Sequence, residues 1–587
     1  MMQKTAISSW AKSEFGQANF NDTRLTNRLI KLADHFGNIP ESPINQACGT
    51  WSEAKAAYRF LKNDCINQSE ILATHVDNTI VRCEKHRRVI AIQDTSYICY
   101  KNHNKTTGLG SVAQKTGRNT TTRCTIYLTL TDNLSALNNN DILQQQKIII
   151  VKKNIKYIIY CKSKKNEKNI IQIDVDTTDE NLFNILNQED FTNEFILKKN
   201  IKDNKEFYNL VCAKIETNNG YTNKSISVKG LIMHTAFAVN QEGLPLGILD
   251  QKIYSRSNEE IKSLENKNDP HVVSIENKES IKWLKSLKNS TNNIDIAKTK
   301  IVTVCDREAD IYDFFELADN LKSDILVRAA QDRVINKKNL HAKKDNQKLW
   351  SVIEGLPCQG VIDVEVPLKN NQPKRTAHLE VRFGKFTMNP PKKNIRNKTE
   401  NLSNLSIYAV YIIEKHSPEG TDPLEWMLLT NISVNNFDEA IEKVRWYCLR
   451  WKIEIFHKIL KSGLKVESCR LSTAERLIRY LTVMSIIAWR VFFITLISRV
   501  DPNLPCTIVL DEEEFRVLYA KMYLTKFSSN TEIPTIKKVI TWIAQLGGYL
   551  ARNNDPPPGP IVVWRGWKRL FDLTEGWKLF GMINTCG

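Results

Sequence analysis

The sequence predicts an α/β protein built on a mixed β-sheet, with helical segments before and after it. Three observations carry this. Two short apolar runs, VIAIQD at 89–94 and IVTVCD at 301–306, are buried-strand patterns that each end in an acid. Apolar residues recur at helical spacing on both sides of them. Alternating segments between 350 and 432 add further strands. The chain has 587 residues, enough for several domains.

The elements follow in chain order. Residues 8–87 read as helices. Asp22 is placed to cap one that carries Leu25, Leu29, Leu32 and Phe36 on a single side. In the next, Ala54, Ala57, Tyr58 and Leu61 are expected to face inward, with Lys55, Arg59 and Lys62 outward. Exposed Arg59 and Lys62 suit contact with a DNA backbone; a solvated helix face is the plain alternative. After the strand at 89–94, VKGLIMHTAFAV at 228–239 and LGILDQKIY at 246–254 form a strand pair around a turn at 240–243. The strand at 301–306 precedes a helix over 310–318 and a short strand over 325–328. GVIDVEVPL, AHLEVRF and IYAVYIIE then alternate as strands of a β-rich insertion. Asn436 and Glu439 resemble a capping box opening the next helix, and Gly463 is expected to stop it. Helices follow from about residue 474 to 500 and from 535 to 552, and Pro556–Pro558 marks a rigid linker before a Trp-rich tail.

One stretch differs from the rest. Of the 30 residues from 141 to 170, 19 are Ile, Lys or Asn, and this bias runs from about 133 to 224 without a steady period, so it reads as an insertion in the core. Its Ile runs, such as KIIIV at 147–151, remain able to form strands.

The net charge of +18 points to a polyanionic partner, most simply nucleic acid. The 13 cysteines include no C-x2-C pair, which argues against a zinc ribbon or a disulfide framework and fits reduced thiols in a cytoplasm. The N-terminal residues lack the apolar core of a secretory signal. The apolar run at 481–496 is interrupted by Arg490 and reads as a core helix too short to span a bilayer.

The most informative feature is YCLRWKIEIFHKILK at 447–461. On one continuous helix Tyr447, Arg450, Glu454 and Lys461 fall at about 0°, 300°, 340° and 320°, with Lys458 at about 20°. One carboxylate among cations and a phenol on a narrow stripe suits a metal ion beside a phosphate. Asp94 and Asp306, at strand ends, supply two more hard oxygen ligands of the kind Mg²⁺ or Mn²⁺ prefers. His457, at about 280°, lies at the stripe's edge and receives no role.

QDTS at 93–96, VCDREADI at 304–311 and the Tyr-Arg-Glu-Lys spacing resemble the DDE transposases of bacterial insertion sequences. The resemblance is to the YREK-bearing insertion-sequence-four family, which moves DNA by cut-and-paste through a hairpin. It extends from SWAKSEF at 9–15 and AAYRFLKN at 56–63 to WMLLT at 426–430, AQLGGYLARNN at 544–554 and WRGW at 564–567, and excludes only the Ile/Lys/Asn-rich stretch.

The resemblance implies an RNase H-like catalytic core holding two Mg²⁺ or Mn²⁺ ions on Asp94, Asp306 and Glu454. It implies DNA contacts from Tyr447, Arg450, Lys458 and Lys461. Trp426 matches an aromatic residue that holds a base flipped from the hairpin, and Trp451 lies where the family has a neighbouring aromatic; a core tryptophan is the alternative for each. Arg307 and Arg328 are candidate phosphate contacts, although Arg307 also suits an ion pair with Glu308 or Asp310. The implied domains are a helical DNA-binding domain (1–87), the catalytic core (88–132 with 225–345, then 433–500), the insertion of unknown role (133–224), a β-rich subdomain (346–432) and a C-terminal helical dimerisation region (501–587). The implied partners are transposon ends, target DNA and a second copy of the chain, in a bacterial cytoplasm and without a membrane. Two rival readings stand beside this one. A relic whose insertion displaces a core strand would bind DNA without cutting it. A two-carboxylate glycoside hydrolase would explain the acids but not the basic stripe.

Overall fold

The computed structural model describes residues 10–39, 41–100, 103, 105–114, 227–256, 274–292, 294–335, 348–366, 375–391, 396, 402–418, 423–528 and 531–585, with the strand segments 147–153, 156–162, 168–172, 191–202 and 205–217. The chain forms two compact units, residues 1–112 with 229–587, and residues 113–228.

The first two strands are β1 (Arg88–Cys99) and β2 (Gly110–Gln114). The smaller unit holds β3 (Lys147–Lys153), β4 (Lys156–Lys162), β5 (Lys168–Gln172), β6 (Phe191–Lys202) and β7 (Lys205–Thr217). These make an antiparallel sheet in the order β5-β4-β3-β6-β7, so the Ile runs do form strands. The chain continues through β8 (Ser227–Val239), β9 (Pro245–Tyr254), β10 (Lys300–Cys305) and β11 (Asp324–Arg328). It ends its strands with β12 (Gly360–Val366), β13 (Arg375–Met388), β14 (Leu405–Glu414) and β15 (Glu425–Thr430).

The larger unit is organised by one mixed sheet, in the order β12-β13-β14-β15-β11-β10-β1-β8-β2, with β9 also paired to β8. β1 with β10 and β10 with β11 run parallel. Val89, Ile90, Ala91 and Ile92 are fully buried, as a central strand covered on both faces requires. The β-rich segment is not a separate sheet, because β15 pairs with β11 and extends the core sheet at that edge. The insertion does not displace a core strand either: β1 and β8, which lie on its two sides in sequence, pair without a break from Ile90 and Val239 to Cys99 and Gly230.

Of the two acids expected at strand ends, Asp306 is found there and Asp94 is not. Asp94 is not the last residue of its strand, since β1 continues to Cys99 along β8. It lies instead just past the parallel pairing with β10, which ends at Ile92 and Val304. Asp306 follows Cys305 directly and caps a short turn, accepting from the Glu308 N–H at 2.9 Å. The two acids therefore stand side by side just past the end of the parallel pairing between β1 and β10.

The N-terminal helices run Trp10–Phe15, Thr23–Asn38, Ile44–Ala47, Trp51–Lys62 and Gln68–Cys83. Asp22 caps the second, accepting from Arg24 N–H at 2.9 Å. On Trp51–Lys62 the inward residues are Ala54, Ala57, Phe60 and Leu61, while Tyr58 is 40% exposed. The buried arc is turned by about 40° from the expected one. A buried network ties this module to the sheet. Glu14 meets His75 Nδ1 at 2.7 Å and Arg82 at 2.6 Å, and His75 Nε2 accepts from the Ile248 N–H of β9 at 3.0 Å.

The apolar run seen in the sequence lies in a 27-residue helix, Ala474–Val500. By length and composition it is long enough to cross a membrane, contrary to the shorter reading, but 89% of its most apolar window is buried inside the protein. Arg490 is carried on it between the rings of Trp10 (4.6 Å) and Trp567 (5.4 Å). Three further helices follow, Glu512–Tyr523, Ile536–Leu546 and Pro560–Thr585. The last two touch backbone to backbone: a Cβ on Gly566 would sit 1.6 Å from the Ile543 carbonyl oxygen.

Candidate functional site

The segment after β15 folds as two helices rather than one. Phe437–Cys448 ends in a tightened step, with Leu449 N–H donating to Trp446 O (3.1 Å) and Arg450 N–H to Tyr447 O (3.0 Å). Trp451–Lys458 follows and widens into a π-helical turn, Ile459–Gly463. The helical run stops at Gly463, as expected, and Lys465 beyond it takes a left-handed conformation. At the start, Asn436 accepts from the Glu439 N–H, but Glu439 reaches back to the N–H of Asn435, so the capping box is shifted by one residue. Ile453 and Phe456 anchor the second helix in the core, and Phe456 stacks on Phe237 of β8 at 4.7 Å.

This anchoring brings the second helix against Asp94 of β1, where the parallel pairing with β10 ends. Burial raises the Asp94 carboxyl to about 7; Asp306 adds to the rise and Glu454 adds a little, while Arg450 and the Thr95 N–H oppose it. The three acids are thus electrostatic neighbours. Arg450 holds Glu454 in a short charge-assisted contact across one helical turn. Among the described residues no three His, Cys, Asp or Glu side chains are grouped as a metal cluster. Asp94 and Asp306 come together, and Glu454 is turned toward Arg450 instead of completing the set.

Beside the acids lies an aromatic and cationic group. Tyr447 is 5% exposed, with Trp426 of β15 edge-on to it at 5.3 Å. Burial pushes the Tyr447 hydroxyl up, and Arg450 and Arg328, which also bond to it, partly offset this. Arg328 further donates to the Glu425 carbonyl at 3.0 Å. Outside this group, Trp451 is 55% exposed, Lys458 is exposed and Lys461 is half-buried. Arg307 is exposed and makes no ion pair among the described residues; of its two expected partners, Asp310 is taken by Arg333 and Glu308 by Lys282. Arg59 and Lys62 are exposed on the helix Trp51–Lys62, far along the chain from the acids.

Sequence reasoning passed over His457. It is 7% exposed, and its Nδ1 lies 3.6 Å from Asp94 Oδ2. Burial pushes it down to about 3, with Lys461 and Arg450 adding to this, so the ring is neutral. Its place at the stripe's edge, three residues after Glu454, was the available signal.

Three family models match the chain. A transposase DNA-binding model matches residues 7–66, a transposase DDE domain residues 270–489, and a transposase Tn5 dimerisation domain residues 486–582. The chain has the domain set of a DDE transposase. A DDE domain implies an RNase H-like core, and the large mixed sheet with helices at both ends accords with it. In this transposase the DDE match opens beyond the smaller unit and includes Asp306 and Glu454 but not Asp94. The β1–β10 pairing is what returns Asp94 to the same site. The DNA-binding match covers the first four helices, including exposed Arg59 and Lys62, and the dimerisation match covers the three C-terminal helices.

Proposed function

We propose that this transposase belongs to the YREK-bearing insertion-sequence-four group and works by cut-and-paste, with Asp94, Asp306 and Glu454 as its catalytic carboxylates. The observation that carries the reading is the Asp94 carboxyl held up at about 7 by burial and by a second acid. Negative charge gathered there lacks its counter-charge, and carboxylate oxygens alone suit a hard divalent cation. Two Mg²⁺ or Mn²⁺ ions, when bound, supply activation of the attacking oxygen and stabilisation of the leaving one.

The remaining work falls to the chain. Asp94 and Asp306 present their oxygens from adjacent strands, and Glu454 joins them once Arg450 turns to a DNA phosphate. Tyr447, Lys458 and Lys461 hold the same strand against the acids, and Arg307 and Arg328 meet neighbouring phosphates. Trp426 and Trp451 offer indole faces to a base unstacked by the hairpin; stacking of this kind offsets about 1–3 kcal/mol per base. Water frees a 3′-OH, and that hydroxyl attacks the opposite strand to close a hairpin. A second water opens the hairpin and regenerates the 3′-OH, which then attacks target DNA. Each step is an in-line displacement in which the 3′ oxygen of the broken strand leaves or attacks. The N-terminal helices grip the terminal repeat through Arg59 and Lys62, and two copies of the chain pair two ends in the cytoplasm.

The test is strand cleavage of end-bearing DNA by the full chain. Glu454→Gln is expected to abolish cutting with Mg²⁺ or Mn²⁺ while end binding in a mobility-shift assay stays within a few-fold. Normal cutting by that variant removes Glu454 from the mechanism.

A further inference from the structure

Among the described residues, His457 is a polar side chain against Asp94 that the mechanism above leaves idle. It stands three residues after Glu454 on the helix Trp451–Lys458, with its ring under β1. Nδ1 faces Asp94 Oδ2 at 3.6 Å, while Nε2 is buried without a hydrogen-bond partner among the described residues. These two facts orient the ring. A hydrogen on Nε2 alone would bury a donor without an acceptor and set a bare nitrogen against a carboxylate oxygen. A hydrogen on Nδ1 avoids both, so the N–H points at Asp94. At 3.6 Å it is too long for a hydrogen bond in this state. A small turn of the carboxyl closes the gap, and such contacts commonly tighten once substrate is seated.

The rest of Asp94's surroundings are already fixed. The Thr95 N–H donates to its carboxylate. Thr95 Oγ1 is 3.0 Å from His234 Nδ1 on the opposite strand. Gln93, fully buried, sets its amide against Trp283 O (3.3 Å) and Leu287 N (3.0 Å), which it satisfies with its NH2 assigned to face the carbonyl. Residues 93 and 95 thus pin the backbone from one face of the sheet, since side chains alternate along a strand. On the other face the Thr95 N–H already meets the carboxyl, and His457 is placed to supply a further donor that fixes its rotamer.

The geometry points to His457 as a positioning residue that donates from Nδ1 to Asp94 and keeps its carboxylate turned toward Asp306 and Glu454. This rests on the reading of those acids as cation ligands. Groups that orient a ligand in this way typically matter by about 10–100-fold in metal affinity or activity.

The experiment compares His457→Leu, His457→Asn and His457→Gln in the full chain bound to end DNA. Mn²⁺ affinity is read by electron paramagnetic resonance titration, and cleavage rate is read separately. Leu is expected to weaken Mn²⁺ binding and slow cleavage by about 10-fold or more. Asn, whose amide N–H replaces Nδ1–H, is expected to restore both, and Gln, which replaces Nε2, is not. Wild-type Mn²⁺ affinity in the Leu variant, or equal defects in all three, overturns the assignment. Glu454→Gln run alongside separates the two claims. If it cuts, the reading of the acids fails; if it is inert while Leu behaves as wild type, only the role of His457 fails.

Discussion

Glu14 and Asp94 are both buried carboxylates, and the protein drives them in opposite directions. Burial raises each. At Glu14, His75 and Arg82 outweigh burial and bring the carboxyl down to about 2. At Asp94, Asp306 and Glu454 reinforce burial, Arg450 only partly opposes it, and the carboxyl rises to about 7. The first acid is electrostatically complete and joins the N-terminal helices to the sheet. The second is incomplete in the absence of a ligand. That contrast separates an acid that builds the fold from one that awaits a partner, which a count of buried charges would not do.

The largest expected effect is on the complete site. Glu14→Ala leaves Arg82 without its carboxylate and is expected to cost about 3–5 kcal/mol, read as a lower unfolding midpoint in denaturant. A loss under about 1 kcal/mol would mean that Glu14 does not hold the module to the sheet. The pH dependence comes next. Because the folded value of Glu14 lies below its unfolded value of 4.5, its contribution is full above pH 4.5 and is lost as pH falls toward about 2. It amounts to roughly 3 kcal/mol. Thermal melts from pH 6 to 2 are expected to be less steep for Glu14→Gln than for the wild type.

Asp94 carries the opposite slope. Its folded value lies above its unfolded value of 3.8, so stability falls as pH rises from 3.8 through about 7. Asp94→Asn is therefore expected to end cleavage and yet raise stability at pH 8, on the order of 1–3 kcal/mol. A drop in melting temperature with this variant at pH 8 would erase the contrast with Glu14.

The smallest effect on stability belongs to the exposed cations. Arg59→Ala with Lys62→Ala is expected to change stability by less than about 0.5 kcal/mol. Each lost phosphate contact is expected to reduce the slope of log binding constant against log salt by roughly 1. An unchanged salt slope would take these residues off the DNA path.

Local pattern made many elements legible. The buried-strand runs around Ile90 and Val302, the cap at Asp22 and the pair β8–β9 were readable because each depends on neighbours within a few residues. Tyr58 was placed inward because helical spacing alone does not say where the buried arc is centred; contact with the rest of the module chose Phe60 instead. The stripe at 447–461 assumed one uniform helix. Packing of Ile453 and Phe456 accompanies a tightened step at Leu449–Arg450 and a wide turn at Ile459–Gly463, neither of which a fixed angle per residue can anticipate.

The amino-acid order by itself determined which residues are available for chemistry: acids after apolar runs, an acid among cations, an excess of positive charge and helical ends. Chain neighbours and periodicity are enough for that. Only the tertiary structure decided which acids meet, because the pairing of β1 with β10 spans the entire smaller unit in sequence. It also decided that Arg450 takes Glu454, that Asp310 goes to Arg333 and that His457 turns to Asp94. Those choices depend on burial and on competition among charges brought together from distant segments, and no local pattern records either.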